Sequence, residues 1–215
     1  MELIHGGQDN NLFIPLQEDF SVTTNLLGPN KNGLQSIINN ISDINHYPDQ
    51  NYFPFIKEFI HFLYKDLKKN NNIILGNGAS ELIDLVIRNS KAETWCPSSE
   101  TQYLEYERSA RNYGKKRSQI TEAELIFIIN PVNPTGHYMN INKLKTYIES
   151  NAKNGTSIIV DESMQPWVGE EWRNDSLLSQ TDWINKLAKN NNIYIFIIHS
   201  WTKIFSCTGL RFGSL

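Results

Sequence analysis

Cysteine is scarce in this sequence: only Cys96 and Cys207 occur in 215 residues. Two thiols make no disulfide framework and no paired zinc spacing, and they suit a reducing compartment. Long apolar runs are also missing. The longest, around Ile193–Ile198, is far too short to span a bilayer. The opening "MELIHGGQDN" has no charged segment followed by an apolar one, so no export signal is read there. Basic excess is absent too. A net charge of −3 gives neither nucleic acid nor a membrane surface an electrostatic reason to bind. No GK[ST] follows any glycine turn, which removes the central group of a P-loop nucleotide hydrolase. No internal repeat is present. What remains is 40% hydrophobic and 20% charged, the balance of a globular protein, expected in the cytoplasm.

Short β-rich runs alternate with helical periodicity. Strands are expected at Ile73–Leu75, Thr94–Cys96, Leu125–Ile129, Ser157–Val160 and Ile193–His199. Runs such as "LIFII" and "IYIFII" suit strands covered on both faces. Helices are expected at Ser80–Asn89, Gln102–Tyr113, Ile141–Ser150 and Trp183–Lys189, with an earlier one over Phe55–Lys69. In that earlier helix Phe55, Phe59, Phe62 and Leu63 share one face and read as core. The asparagine clusters at 68–72 and 190–192 read as solvated loops. The alternation predicts an α/β three-layer sandwich with a mostly parallel central sheet. In such sheets ligands collect beyond the carboxyl ends of the strands.

Four strand ends carry chemistry. After the first comes "LGNGASELIDLVIR", in which Gly76 and Gly78 permit unusual backbone angles and Ser80 is placed as a helix cap. Free N–H groups at such a helix start hold phosphate well, although a plain glycine turn reads the same way. After the third comes "NPVNPTG" (130–136), a stiff turn that presents Asn133. After the fourth, "IIVDES" leaves Asp161 at the end of an apolar strand, where burial demands a cation or proton donor. That pattern also serves as the magnesium-side carboxylate of ATPases, a reading the missing phosphate loop removes. After the fifth, "HSWTKIFSCTGLRFGSL" supplies Ser200, Thr202, Lys203 and, eight residues on, Arg211. An enclosed lysine near cations becomes a nucleophilic amine, and an arginine suits a phosphate. One small molecule needs a phosphate cradle, a lysine for its aldehyde, a carboxylate beside a ring nitrogen and an amide beside a phenolic oxygen. That molecule is pyridoxal 5'-phosphate.

On "GNGASE", "NPVNPTG", "VDES" and "SWTKIFSCTGLRFG", taken in this order, the sequence resembles the fold-type I pyridoxal-phosphate enzymes of the class I/II aminotransferase family. Within that family it looks most like the branch of threonine-phosphate decarboxylase and histidinol-phosphate aminotransferase, and "HGG" at 5–7, "DFSVTTNLLGP" at 19–29 and "HYPDQNY" at 46–52 look closest to the decarboxylase. The resemblance implies that Ala79, Ser80, Ser200, Thr202 and Arg211 hold the cofactor phosphate, and that Tyr103 stacks on its ring. It implies that Asn133 bonds the phenolic oxygen, Asp161 the ring nitrogen, and Lys203 the aldehyde. Tyr47 would reach the cofactor of a second subunit in a homodimer, and His5 and Asn25 would approach a small amino-acid substrate. Without the resemblance, Tyr103 and Tyr106 read equally well as helix-face core.

Three departures stand out. Met164 takes the place of an aromatic three residues after the aspartate, and Thr23 and Leu26 replace an asparagine and a proline in the amino-terminal segment. The third is length: the resemblance implies an arm at 1–45, an incomplete cofactor domain at 46–215, and a missing carboxy-terminal domain. Two expectations follow: an enzyme that transaminates or decarboxylates a small phosphorylated amino acid, or a truncated remnant keeping only the cofactor cradle or a dimerising role.

Overall fold

The computed structural model describes residues 21–64 and 73–215. Among the described residues, seven strands form one sheet in the order β1-β7-β6-β5-β4-β2-β3. They are β1 (Leu75–Asn77), β2 (Thr94–Pro97), β3 (Lys116–Arg117), β4 (Leu125–Ile129), β5 (Ser157–Asp161), β6 (Tyr194–Ser200) and β7 (Phe212–Ser214). The run β6-β5-β4-β2-β3 is parallel, and β7 is antiparallel to both neighbours, β1 and β6. The carboxyl ends of β1, β4, β5 and β6 and the start of β7 therefore meet at one edge.

Residues of the central strands alternate between two apolar layers. Leu125, Phe127 and Ile129 pack with Leu82, Ile83 and Ile87 of α3 (Ala79–Asn89) and with Tyr106 and Ala110 of α4 (Glu105–Asn112). Ile126, Ile128, Ile158 and Val160 face Leu144 and Ile148 of α5 (Ile141–Asn151), joined by Trp183, Ile184 and Leu187 of α6 (Thr181–Asn191). This is the expected three-layer sandwich, and it explains why "LIFII" is apolar at every position. Fully burying each such side chain stabilises the fold by roughly 1.5–3 kcal/mol.

A third cluster lies beside the sheet. Phe59 and Leu63 of α2 (Phe55–Tyr64) pack with Trp172, Leu178 and Trp201, with Phe62 partly buried against them. Phe55, expected in the core, is instead 46% exposed at the start of the helix, and the rest of the expected helix lies outside the described residues. By contrast α1 (Lys31–Asn39), unforeseen in its "KNGLQSIIN", buries none of its residues. No helix among the described residues is long and apolar enough to cross a membrane.

The structure corrects three local expectations. The first strand sits two residues later than expected, because pairing with β7 sets Leu75 opposite Ser214 and Asn77 opposite Phe212. Ser80 is not the cap of α3. The cap position is Gly78, whose φ of 81° suits glycine, and Ser80 falls inside the first turn. The carboxylate of Glu81 reaches back to accept from the Asn77 N–H at 2.5 Å. Finally, β3 and β7 were not foreseen. One is a two-residue exposed pair, and the other contains glycine and serine.

Candidate cofactor site

Parallel strands place their loops together, and the cleft at this edge is lined by Ala79, Ser80, Tyr103, Asn133, Asp161, Ser200, Lys203 and Arg211. These eight come from five separate segments of the sequence. Ile129, Ser163 and Met164 complete the wall.

On one side, α3 begins at Ala79, which lines the cleft together with Ser80; the first-turn N–H groups of a helix lack intrahelical partners. Arg211 is in the left-handed region (φ 53°, ψ 68°), and its Nη1 donates to the Thr208 carbonyl at 3.1 Å. Its guanidinium passes so close over Gly78 that an added Cβ would collide with it. Gly213 is as tightly placed: a Cβ there would lie 2.8 Å from the Ala79 nitrogen. Both glycines thus exist to bring Arg211 and β7 against the start of the helix. The Ser80 and Tyr103 side chains share a hydrogen bond, and burial is the main reason the Tyr103 phenol titrates above its usual range.

On the amine side, Lys203 belongs to the short helix α7 (Trp201–Ile204), directly after β6. Its Nζ donates to Ser200 Oγ at 3.1 Å and stands 6.0 Å from the centre of the Tyr103 ring. Burial lowers its pKa from 10.5; the Asp161 carboxylate opposes that shift, and the Arg211 guanidinium adds to it. A lysine so placed keeps more of its amine neutral and nucleophilic.

Between these sides lies Asp161, 5% exposed. It has the proton donors that burial demands: its Oδ2 accepts from the Tyr106 hydroxyl and its Oδ1 from the Ser163 N–H, each at 2.8 Å. Ser163 also accepts the Ser200 N–H on its own Oγ at 2.7 Å, tying the end of β5 to the start of α7. The loop that carries Asn133 is clamped by Asn130, whose side chain exchanges two 2.8 Å hydrogen bonds with the Met139 backbone.

Other expected residues stand apart from this cleft. Thr202 is fully buried behind it, with its hydroxyl 3.1 Å from Ser200 Oγ. Asn25 lies behind Lys203 and donates its side-chain amide to the Ile204 carbonyl at 2.9 Å. Tyr47 is 99% exposed, outside the cleft of its own chain. His5 lies outside the described residues. Sequence reasoning missed the parts played by Tyr106 and Ser163. The only signal for either was the buried carboxylate's need for donors.

The family model for aminotransferase class I and II matches residues 19–215. The chain belongs to that family. A histidinol-phosphate aminotransferase of Methanosphaera stadtmanae is 29% identical over 206 residues, covering 86% of this chain and 51% of the relative. A Caldanaerobacter subterraneus protein, provisionally named a threonine-phosphate decarboxylase, is 27% identical over 190 residues, covering 80% and 48%. The crystal structure of the histidinol-phosphate aminotransferase from Clostridium acetobutylicum superposes with a TM-score of 0.72 at 29% identity, over 90% of this chain and 58% of that one. The chain therefore spans about half the length of the curated relatives it matches.

Proposed function

We propose that this chain binds pyridoxal 5'-phosphate and acts on a small, phosphorylated amino acid or amine, by transamination or decarboxylation. One observation carries the reading. A buried carboxylate, a lysine whose amine is lowered by burial, and an arginine laid over a glycine at a helix start share one cleft. Enzymes of the class I and II aminotransferase family use this cofactor, and the donor set here fits it. The space a Cβ would fill at Gly78 is taken by the guanidinium suited to a phosphate.

When bound, the cofactor supplies an electron sink for charge developing at the substrate α-carbon. The chain's own residues do the rest. Arg211, Ser200 and the first-turn amides at Ala79 and Ser80 hold the phosphate, with Thr202 bracing Ser200. Tyr103 covers the ring, and Asn133 binds its phenolic oxygen. Asp161 keeps a proton on the ring nitrogen. Lys203 would hold the aldehyde end of the cofactor and, as an amine kept neutral by burial, would move the proton at the substrate α-carbon.

Residues 46–215 would make up the cofactor unit and 1–45 an arm, with His5 toward the substrate and Asn25, whose amide donates to the Ile204 carbonyl, bracing the helix that carries Lys203. A homodimer in the cytoplasm completes the reading. Tyr47, exposed on its own chain, is free to reach a second subunit, and the free thiols of Cys96 and Cys207 suit a reducing compartment. The names of the relatives support a phosphorylated substrate and leave both reaction types in play. A second reading, a cradle without turnover, draws on the span of about half the relatives' length.

The test is to mix the purified chain with pyridoxal 5'-phosphate, record its absorbance, reduce with borohydride and map the label by peptide mass. Label at Lys203 and a spectrum lost in Lys203→Ala are expected. Identical spectra for wild type and variant overturn the proposal. Sedimentation reports the dimer, and measurable turnover sets aside the second reading.

A further inference from the structure

Tyr106 sits on α4, fully buried, with its ring centre 5.3 Å from that of Phe127. By packing alone a phenylalanine would serve there at least as well, because a hydroxyl taken into an apolar core is costly unless it is bonded. This hydroxyl is bonded, and its partner is the one buried carboxylate of the cleft, 55 positions along the chain, at 2.8 Å. The other oxygen of Asp161 is held by the Ser163 backbone N–H. Each carboxylate oxygen has two lone pairs, so one donor on each leaves acceptor capacity toward the cleft. The torsion that sets the carboxylate plane is intrinsically broad. A single amide is a weak constraint on it; two donors on different oxygens, from different elements, fix the plane.

We propose that Tyr106 is a positioning residue: its hydroxyl fixes the Asp161 carboxylate plane, so that the carboxylate can hold the proton on the cofactor's ring nitrogen. The inference rests on the pyridoxal-phosphate reading above. Burial first, and then the charge of Asp161, keep the Tyr106 phenol well above its usual titration range, so the donor stays protonated across the working pH.

The experiment uses the full chain loaded with pyridoxal 5'-phosphate, comparing wild type, Tyr106→Phe and Phe127→Leu. Borohydride labelling of Lys203 reports on the underlying reading, and the pH titration of the bound cofactor's absorbance reports on Tyr106. A proton held on the ring nitrogen places positive charge beside the lysine-linked chromophore and lowers its titration midpoint. Loosening Asp161 removes that charge. Tyr106→Phe should therefore still label at Lys203, retain cofactor about tenfold more weakly, and shift the midpoint up by about one pH unit. Phe127→Leu disturbs the same core without touching the hydroxyl and should leave the midpoint in place.

Should the phenylalanine variant not fold, 3-fluorotyrosine at position 106 keeps the ring and makes the hydroxyl a stronger donor. It should move the midpoint down. Lys203 labelling with an unmoved midpoint in either variant overturns the positioning role alone. An unlabelled wild type overturns it together with the cofactor reading.

Discussion

Asn25 and Ile204 are 179 positions apart, yet the side-chain amide of the first donates to the carbonyl of the second at 2.9 Å. The Asn25 backbone N–H donates to the neighbouring Lys203 carbonyl at 3.0 Å. The amino-terminal segment thus straps down the short helix that carries Lys203. Asn25→Ala should cost about 1 kcal/mol of stability, read as a lowered urea midpoint. Asn25→Asp keeps an acceptor for the Leu27 N–H but sets a charged oxygen against the Ile204 carbonyl in place of the donor, so it should be at least as destabilising as the alanine.

Gly213 and Gly209 lie four residues apart and should respond differently to alanine. A Cβ at Gly213 meets backbone, 2.8 Å from both the Ala79 nitrogen and the Gly78 carbonyl carbon, and neither has room to yield. A Cβ at Gly209 meets nothing within 4 Å. Thermal unfolding should show Gly213→Ala losing roughly 1–3 kcal/mol along with cofactor retention. Gly209→Ala should stay within about 0.5 kcal/mol of wild type.

Lys203 makes stability depend on pH with a definite sign. Its folded pKa lies below 10.5, so between the two values the unfolded chain binds more protons than the folded one, and stability rises with pH there. The penalty for burying the charged amine applies in full below the folded pKa and fades as pH climbs toward 10.5. Lys203→Met carries no such group. Chemical denaturation from about pH 7 to pH 10 should show wild type gaining on this variant as pH rises.

Ser163→Ala removes the acceptor of the Ser200 N–H, which lies in a buried segment. An unpaired buried donor costs about 1–3 kcal/mol. Faster hydrogen exchange at the Ser200 amide, relative to amides within β4, is the expected signature. Unchanged exchange would mean that the tie between β5 and α7 is unimportant.

The parts of this molecule legible in sequence are those fixed by local pattern. "LIFII" and "SIIV" declare buried strands, because parallel strands covered on both faces need apolar residues at every position. "IYIFII" is a strand as expected, but Tyr194 is exposed and Ile195–Ile197 only half-buried, so it is not covered on both faces. Strand-end residues such as Asp161 and Lys203 were readable as one site because parallel strands deliver their ends to one edge. Illegible features depend on distant neighbours. β7 reads "FGS" and has no apolar run; it is a strand because Gly213 lets it approach Ala79. Tyr106 looked like core, and it is core. That its hydroxyl also meets Asp161 is set by the packing of α4 on the sheet, which no pattern along α4 encodes. Gly78, not Ser80, caps α3 because the turn needs a positive φ, a demand known only once the backbone path is known.

The place of β7 has a consequence for the order of assembly. Among the described strands, β1 has only β7 as its hydrogen-bonded neighbour. Strands β2 to β6 can pair as the chain leaves the ribosome, each from segments already made. β1, emerging first, must wait without a neighbour until residues 212–214 arrive to bridge it to β6. Closing that gap joins segments more than 130 positions apart, the kind of late, non-local step that slows folding. The approach of Arg211 to Gly78 at the start of α3 forms only when that gap closes. On the proposed reading, an anion bound there would report that the sheet has closed.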